Sequence, residues 1–126
     1  MIIIDEYKVK LKQIKAEIDD LHGSMGIDNA RKRLSEIEEI TAAPDFWNDA
    51  ANSHHILKEQ KAVKAKITAY DALYSLYEDA GTYLELAADA DDGSLDEEIG
   101  ETFRNLEKTV EKLRLETLLS GEYDMN

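Results

Sequence analysis

The sequence predicts an all-α fold: an elongated antiparallel helical bundle of about four helices, organised around a long hairpin between the third and fourth. Three observations carry this expectation. First, Ile56, Val63, Ile67, Tyr70, Tyr74, Tyr77 and Leu84, with Gly81 in step, mostly recur at intervals of three and four, one stripe of a 3.6-residue period. Second, the chain has one proline, six glycines and no cysteine, a composition poor in turns and free of disulfides. Third, 43% hydrophobic and 34% charged residues over 126 positions suit one domain with a modest core.

The first helix is read from Tyr7, Leu11, Ile14, Ile18 and Leu21. Asp5 is the expected cap, and Asp5 and Glu6 complement the positive end of the helix dipole. His22-Gly23-Ser24 is the expected stop, with Gly23 in the left-handed conformation. Lys8, Lys12 and Lys15 share one face. Asp28 is expected to cap the second helix, whose inner line is Ile27, Ala30, Leu34, Ile37 and Thr41. Pro44 ends it, because the residue before a proline is pushed out of the α region. Phe46 and Trp47 follow as two rings expected to anchor the corner to the core. Asn48 or Asp49 then caps the third helix.

That third helix spans 49–92 and would be about 64 Å long if unbroken. Gly81 inside it costs about 1 kcal/mol relative to alanine at an exposed site. Its end, Ala87 to Gly93, is expected to fray, since acidic residues there oppose the dipole. Ser94 and Glu97 read as a capping box for a fourth helix with the stripe Leu95, Ile99, Phe103, Leu106, Val110 and Leu113. Arg104–Glu107, Glu111–Arg114 and Lys112–Glu116 are expected surface pairs. The fourth helix closes at Ser120-Gly121. Being shorter, it covers only the C-terminal part of the third, and the first two helices are expected to cover the rest. The helical domain is thus expected to span 1–119.

Charge is unevenly placed. Net charge is −13, of which residues 1–66 contribute −1 and residues 67–126 contribute −12. From 67 to 103 there is no lysine or arginine. Asp89, Asp91, Asp92, Asp96, Glu97, Glu98 and Glu101 crowd the turn between the last two helices, which makes that turn the candidate docking site. Such a surface repels nucleic-acid phosphate and favours a basic protein partner. A solvated charge run and weak divalent binding at Asp89, Asp91 and Asp92 are the other readings of the same residues.

Lys58, Lys61 and Lys64 make a small basic row that could face RNA, or simply water. Tyr70, Tyr74 and Tyr77 are read as core packing. The adjacent His54 and His55 lie about 100° apart on a helix and cannot chelate one metal together. No phosphate loop, nucleophile elbow or His-Glu-x-x-His occurs, so neither an enzyme nor a cofactor is expected. The apolar run at residues 1–4 is too short for a signal peptide or a membrane span, and the missing cysteines suit a reducing cytoplasm.

Particular residues go further. Gly23-Ser24-Met25, Arg33-Leu34-Ser35-Glu36-Ile37-Glu38 and Pro44-Asp45-Phe46-Trp47-Asn48-Asp49 resemble the N-terminal part of the bacterial peptide chain release factor 2 family. The run Leu115-Glu116-Thr117-Leu118-Leu119-Ser120-Gly121-Glu122-Tyr123-Asp124-Met125-Asn126 looks like that family's junction into its next domain, which implies that 120–126 starts a linker. Met25-Gly26 departs from the Leu-Asp expected after Gly-Ser. The resemblance implies a fragment of a class I factor that acts at UAA and UGA codons. In that family a Ser-Pro-Phe loop reads the codon and a Gly-Gly-Gln motif acts at the peptidyl transferase centre. Neither motif is present here. The resemblance also implies a partner at the base of the large-subunit stalk and dealings with the GTPase-type class II release factor. A free-standing acidic adaptor or oligomerisation module is the alternative.

Overall fold

The computed structural model describes residues 3–121. Among them are four α-helices: α1 (Ile4–Ser24), α2 (Ile27–Ala42), α3 (Ala50–Ala90) and α4 (Asp96–Leu119), with a short 3-10 turn at Phe46–Asn48 between α2 and α3. The expected junction at 120–126 lies outside the described residues from position 122 onward, as do the first two residues of the N-terminal apolar run.

Helices α1, α2 and α4 follow their stripes, but several caps differ from expectation. Asp5 is not the cap of α1. The helix begins two residues earlier than that cap would set, with the N–H groups of Glu6 and Tyr7 bonded to the Ile3 carbonyl, and Asp5 lies inside the first turn. Gly23 does not stop α1 either. The helix runs on through Ser24, which brings Met25 and Ile27 into the core. The reversal is made at Gly26, whose φ of 63° is the left-handed conformation a glycine adopts without strain. Gly26 rather than Asp28 then precedes α2, and Asp28 sits in the first turn.

At the other end of α2 the prediction holds. Ala43, before Pro44, is extended at φ −68° and ψ 137°. Asp49 caps α3, its carboxylate accepting the Asn52 N–H at 3.1 Å. The helix then continues for 41 residues through Gly81 without a break.

Two cores hang on α3. The larger joins Ile14, Ile18 and Leu21 of α1, Leu73, Ala80 and Leu84 of α3, and Ile99, Phe103, Leu106 and Val110 of α4. The smaller joins Ile37, Phe46 and Ile56, with Ile40, Leu57 and Val63 at its edge. So α1 does not cover the N-terminal half of α3 as expected. It packs beside α4 on the C-terminal half, and α2 with the Phe46 turn covers the rest. Cross-contacts fix the directions. Leu11 lies beside Gly81 and the His22 ring meets Tyr70, so α1 is antiparallel to α3. The Tyr7 ring meets Phe103 edge-on at 4.8 Å and Lys10 lies 3.9 Å from Glu107, so α1 is parallel to α4. Arg31 pairs with Asp71 and Arg33 with Glu59, so α2 is also antiparallel to α3.

The tyrosine stripe is rotated relative to expectation. Tyr70 is buried, but Tyr74 and Tyr77 are only half-buried, and Leu73, Ala80 and Ala87 take the inner line. Two helices, α1 and α4, flank this half of α3. The buried arc is therefore wider than one stripe, and small residues at its centre let the helices approach.

Candidate functional site

The acidic turn is built from its own carboxylates. Asp91 ends α3 in the left-handed conformation (φ 49°, ψ 37°), and its N–H bonds the Ala87 carbonyl at 2.9 Å. Aspartate tolerates this geometry better than most residues. Gly93 follows with φ 73°. The Asp92 carboxylate accepts the Ser94 N–H at 3.0 Å. The Ser94 hydroxyl and N–H hold the Asp92 carboxyl below the usual carboxylate range. Ser94 is therefore spent in the turn and is not the cap of α4; Leu95 stands there, without a side-chain cap bond.

Asp96, Glu97 and Glu98 occupy the first turn of α4, where negative charge is stabilised by the dipole. Asp89, Asp91, Asp92, Glu97, Glu98 and Glu101 are exposed, and Asp96 is half-buried. The turn thus offers an open array of carboxylates at one end of the molecule. Among the described residues no three acidic, histidine or cysteine side chains converge so as to hold a metal ion. None of the described helices is long and apolar enough to cross a membrane.

Lys58, Lys61 and Lys64 are exposed on the N-terminal half of α3, far along the helix from the acidic turn, and His54 and His55 are exposed beside them. The two corner rings divide. Phe46 is buried, with its carbonyl accepting the Ser53 hydroxyl at 2.6 Å. Trp47 does not anchor the corner: it is 66% exposed and meets Phe46 edge-on at 4.9 Å. A 3-10 turn advances 120° per residue, so consecutive rings cannot both enter a core as small as Ile37 and Ile56 provide.

A recess of about 440 Å³ is lined by His22, Arg31, Tyr70, Asp71, Tyr74 and Glu78. The His22 ring stands edge-on to Tyr70 at 5.3 Å. Tyr70 and Tyr74 lie nearly parallel at 6.3 Å, and Tyr77 follows at 5.6 Å. Arg31 forks onto Asp71 at 2.7 and 3.3 Å. The three-and-four spacing of the tyrosines was the available signal, but it fits an outer edge as well as an inner one.

The PCRF domain family matches residues 30–126. Peptide chain release factor 2 of Nitratiruptor sp. is 34% identical over 119 residues, covering 94% of this chain and 32% of that protein. The protein of the same name from Exiguobacterium sp. is 28% identical over 123 residues, covering 98% of this chain and 34% of its own length. That of Salinispora tropica is 34% identical over 120 residues, covering 94% and 32%. The chain spans about a third of the length of the curated relatives it matches.

Proposed function

Because this chain belongs to the PCRF domain family and is similar to peptide chain release factors 2, we propose that it serves translation termination at UAA and UGA codons as a ribosome-docking helical domain. In this reading the domain works in the cytoplasm and holds a class I release factor near the stalk base of the large subunit, within reach of the GTPase-type class II factor. Codon reading and peptidyl-tRNA hydrolysis belong to a Ser-Pro-Phe loop and a Gly-Gly-Gln motif, neither of which is in this sequence. The domain contributes position rather than chemistry.

The observation that carries the docking surface is the exposed carboxylate array at the α3–α4 turn, in a stretch without a cation from 67 to 103. Such an array is attracted to a basic ribosomal protein and repelled by bare RNA. The test replaces Asp89, Asp91 and Asp92 by Asn, and Glu97 and Glu98 by Gln. Stalk-base binding is expected to weaken at least tenfold at low salt and to lose most of its ionic-strength dependence. Unchanged affinity and salt dependence would defeat the reading.

A second reading, an oligomerising module, is favoured by one observation. Leu115, Leu118 and Leu119 are exposed together at the end of α4. Light scattering separates the two: the docking reading expects the 14.3 kDa monomer mass at all concentrations. A concentration-dependent mass without ribosome affinity supports the second.

A further inference from the structure

We propose that the recess between α1, α2 and α3 accepts an arginine side chain from a basic protein partner, with the Tyr74 ring as its platform and the Glu78 carboxylate as its counter-ion. This rests on the reading that the partner is a basic protein, and it adds a second, chemically specific contact away from the acidic turn.

The recess has the composition that an arginine needs. Tyr70 and Tyr74 form a stepped aromatic wall, nearly parallel at 17°. Tyr74 is half-buried, so its ring is held by packing while part of it faces the opening. Glu78 lies one helical turn along α3, is exposed, and lines the same recess. None of the ion pairs among the described residues engages it, whereas the nearby cations are already paired. Arg31 is held by Asp71 at 2.7 Å and Lys15 by Asp19 at 2.8 Å. Asp28 lies 3.4 Å from His22. Around the recess the fixed charges are thus two cations, Lys15 and Arg31, against four carboxylates, Asp19, Asp28, Asp71 and Glu78.

That balance selects the ligand. A nucleobase could stack on Tyr74, but it would carry its phosphate into a net negative surface. A cation gains from both the ring face and the free carboxylate. Guanidinium fits better than ammonium. It is planar, stacks on an aromatic ring, is more weakly hydrated and can fork onto a carboxylate as Arg31 does onto Asp71.

The experiment titrates the whole chain with an end-blocked pentapeptide carrying one arginine, following the Tyr ring and Glu78 signals by NMR. The lysine counterpart and a five-nucleotide oligoadenylate are run in parallel. The arginine peptide is expected to shift Tyr74 and Glu78 and to bind at least threefold tighter than the lysine peptide. Glu78→Gln and Tyr74→Leu should each weaken it at least fivefold, and Tyr74→Phe by less than twofold. Retained binding in Glu78→Gln and Tyr74→Leu, shifts confined to the acidic turn, preference for the oligonucleotide, or no binding at all would each overturn the proposal. The turn variants Asp89→Asn and Asp91→Asn should leave peptide binding unchanged. Stalk-base binding that ignores the turn variants then refutes the docking reading while leaving the recess standing, and the reverse pattern does the opposite.

Discussion

Ser53 shows how a single side chain can hold a corner. It is 4% exposed, and its hydroxyl lies 2.6 Å from the Phe46 carbonyl and 2.9 Å from that of Asp49. Ser53→Ala leaves the Phe46 carbonyl without this donor and is expected to cost about 1–3 kcal/mol, read as a lower urea midpoint. Gly81→Ala should act in the other direction. A Cβ there would meet only Leu11 Cδ2, at an ordinary 3.6 Å. The change should stabilise by about 0.5–1 kcal/mol and raise the melting temperature by a few degrees. Arg33 forks onto Glu59 at 2.7 and 2.8 Å and lowers the Glu59 carboxyl below its ordinary value. A carboxyl depressed in the folded state adds stability above its unfolded value, about 4.3, and that contribution is lost as pH falls through the folded value. Urea midpoints followed from pH 6 down to pH 2 should therefore fall, and Glu59→Gln should flatten the fall. At this scale the sequence was a partial guide. Pro44 and Asp49 acted as their chemistry dictates. Asp5, Gly23, Asp28 and Ser94 did not: Ile3, Gly26 and Leu95 stand at the three helix starts without a side-chain cap bond, and α1 runs on past Gly23.

Among the elements, α3 is the one that both cores share. Its apolar line and that of α4 were legible because a 3.6-residue period survives in any packing. What the period could not say was how many partners flank each turn, so the inner line near Leu73 and Ala80 was displaced by one step from the tyrosines. The same gap hid the placement of α1. The two cores also differ in size, which predicts unequal stability. The corner core rests on Ile37, Phe46 and Ile56 with a few half-buried neighbours. Phe46→Ala should remove about 3–5 kcal/mol from it. Hydrogen exchange is expected to quicken in α2 and the first turns of α3, with protection retained at Leu73, Leu84, Ile99 and Leu106. Equal loss of protection in both halves would mean that the cores melt as one.

For the molecule as a whole, length and charge polarity were the most legible properties. Forty-one helical residues make α3 about 62 Å long, so small-angle scattering should return a maximum dimension no shorter than that. The charge asymmetry is a count over the sequence and needs no fold. Its concentration at one end does need one: it follows from the antiparallel α3–α4 hairpin, which was predicted. The recess beside Tyr74 was not legible, because it joins His22, Arg31 and Glu78 from three helices.

The placement of α1 has a consequence for how the protein is made. Its apolar face, Ile14, Ile18 and Leu21, closes against Ile99, Phe103, Leu106 and Val110 of α4, a helix that leaves the ribosome well after α1. At about 5–20 residues per second, that face waits several seconds after emerging before its final cover exists. The α2–α3 corner, by contrast, joins near neighbours in sequence and can close first. The nascent chain therefore carries a partly covered apolar helix until α4 has followed it out, and a holding chaperone would find it there.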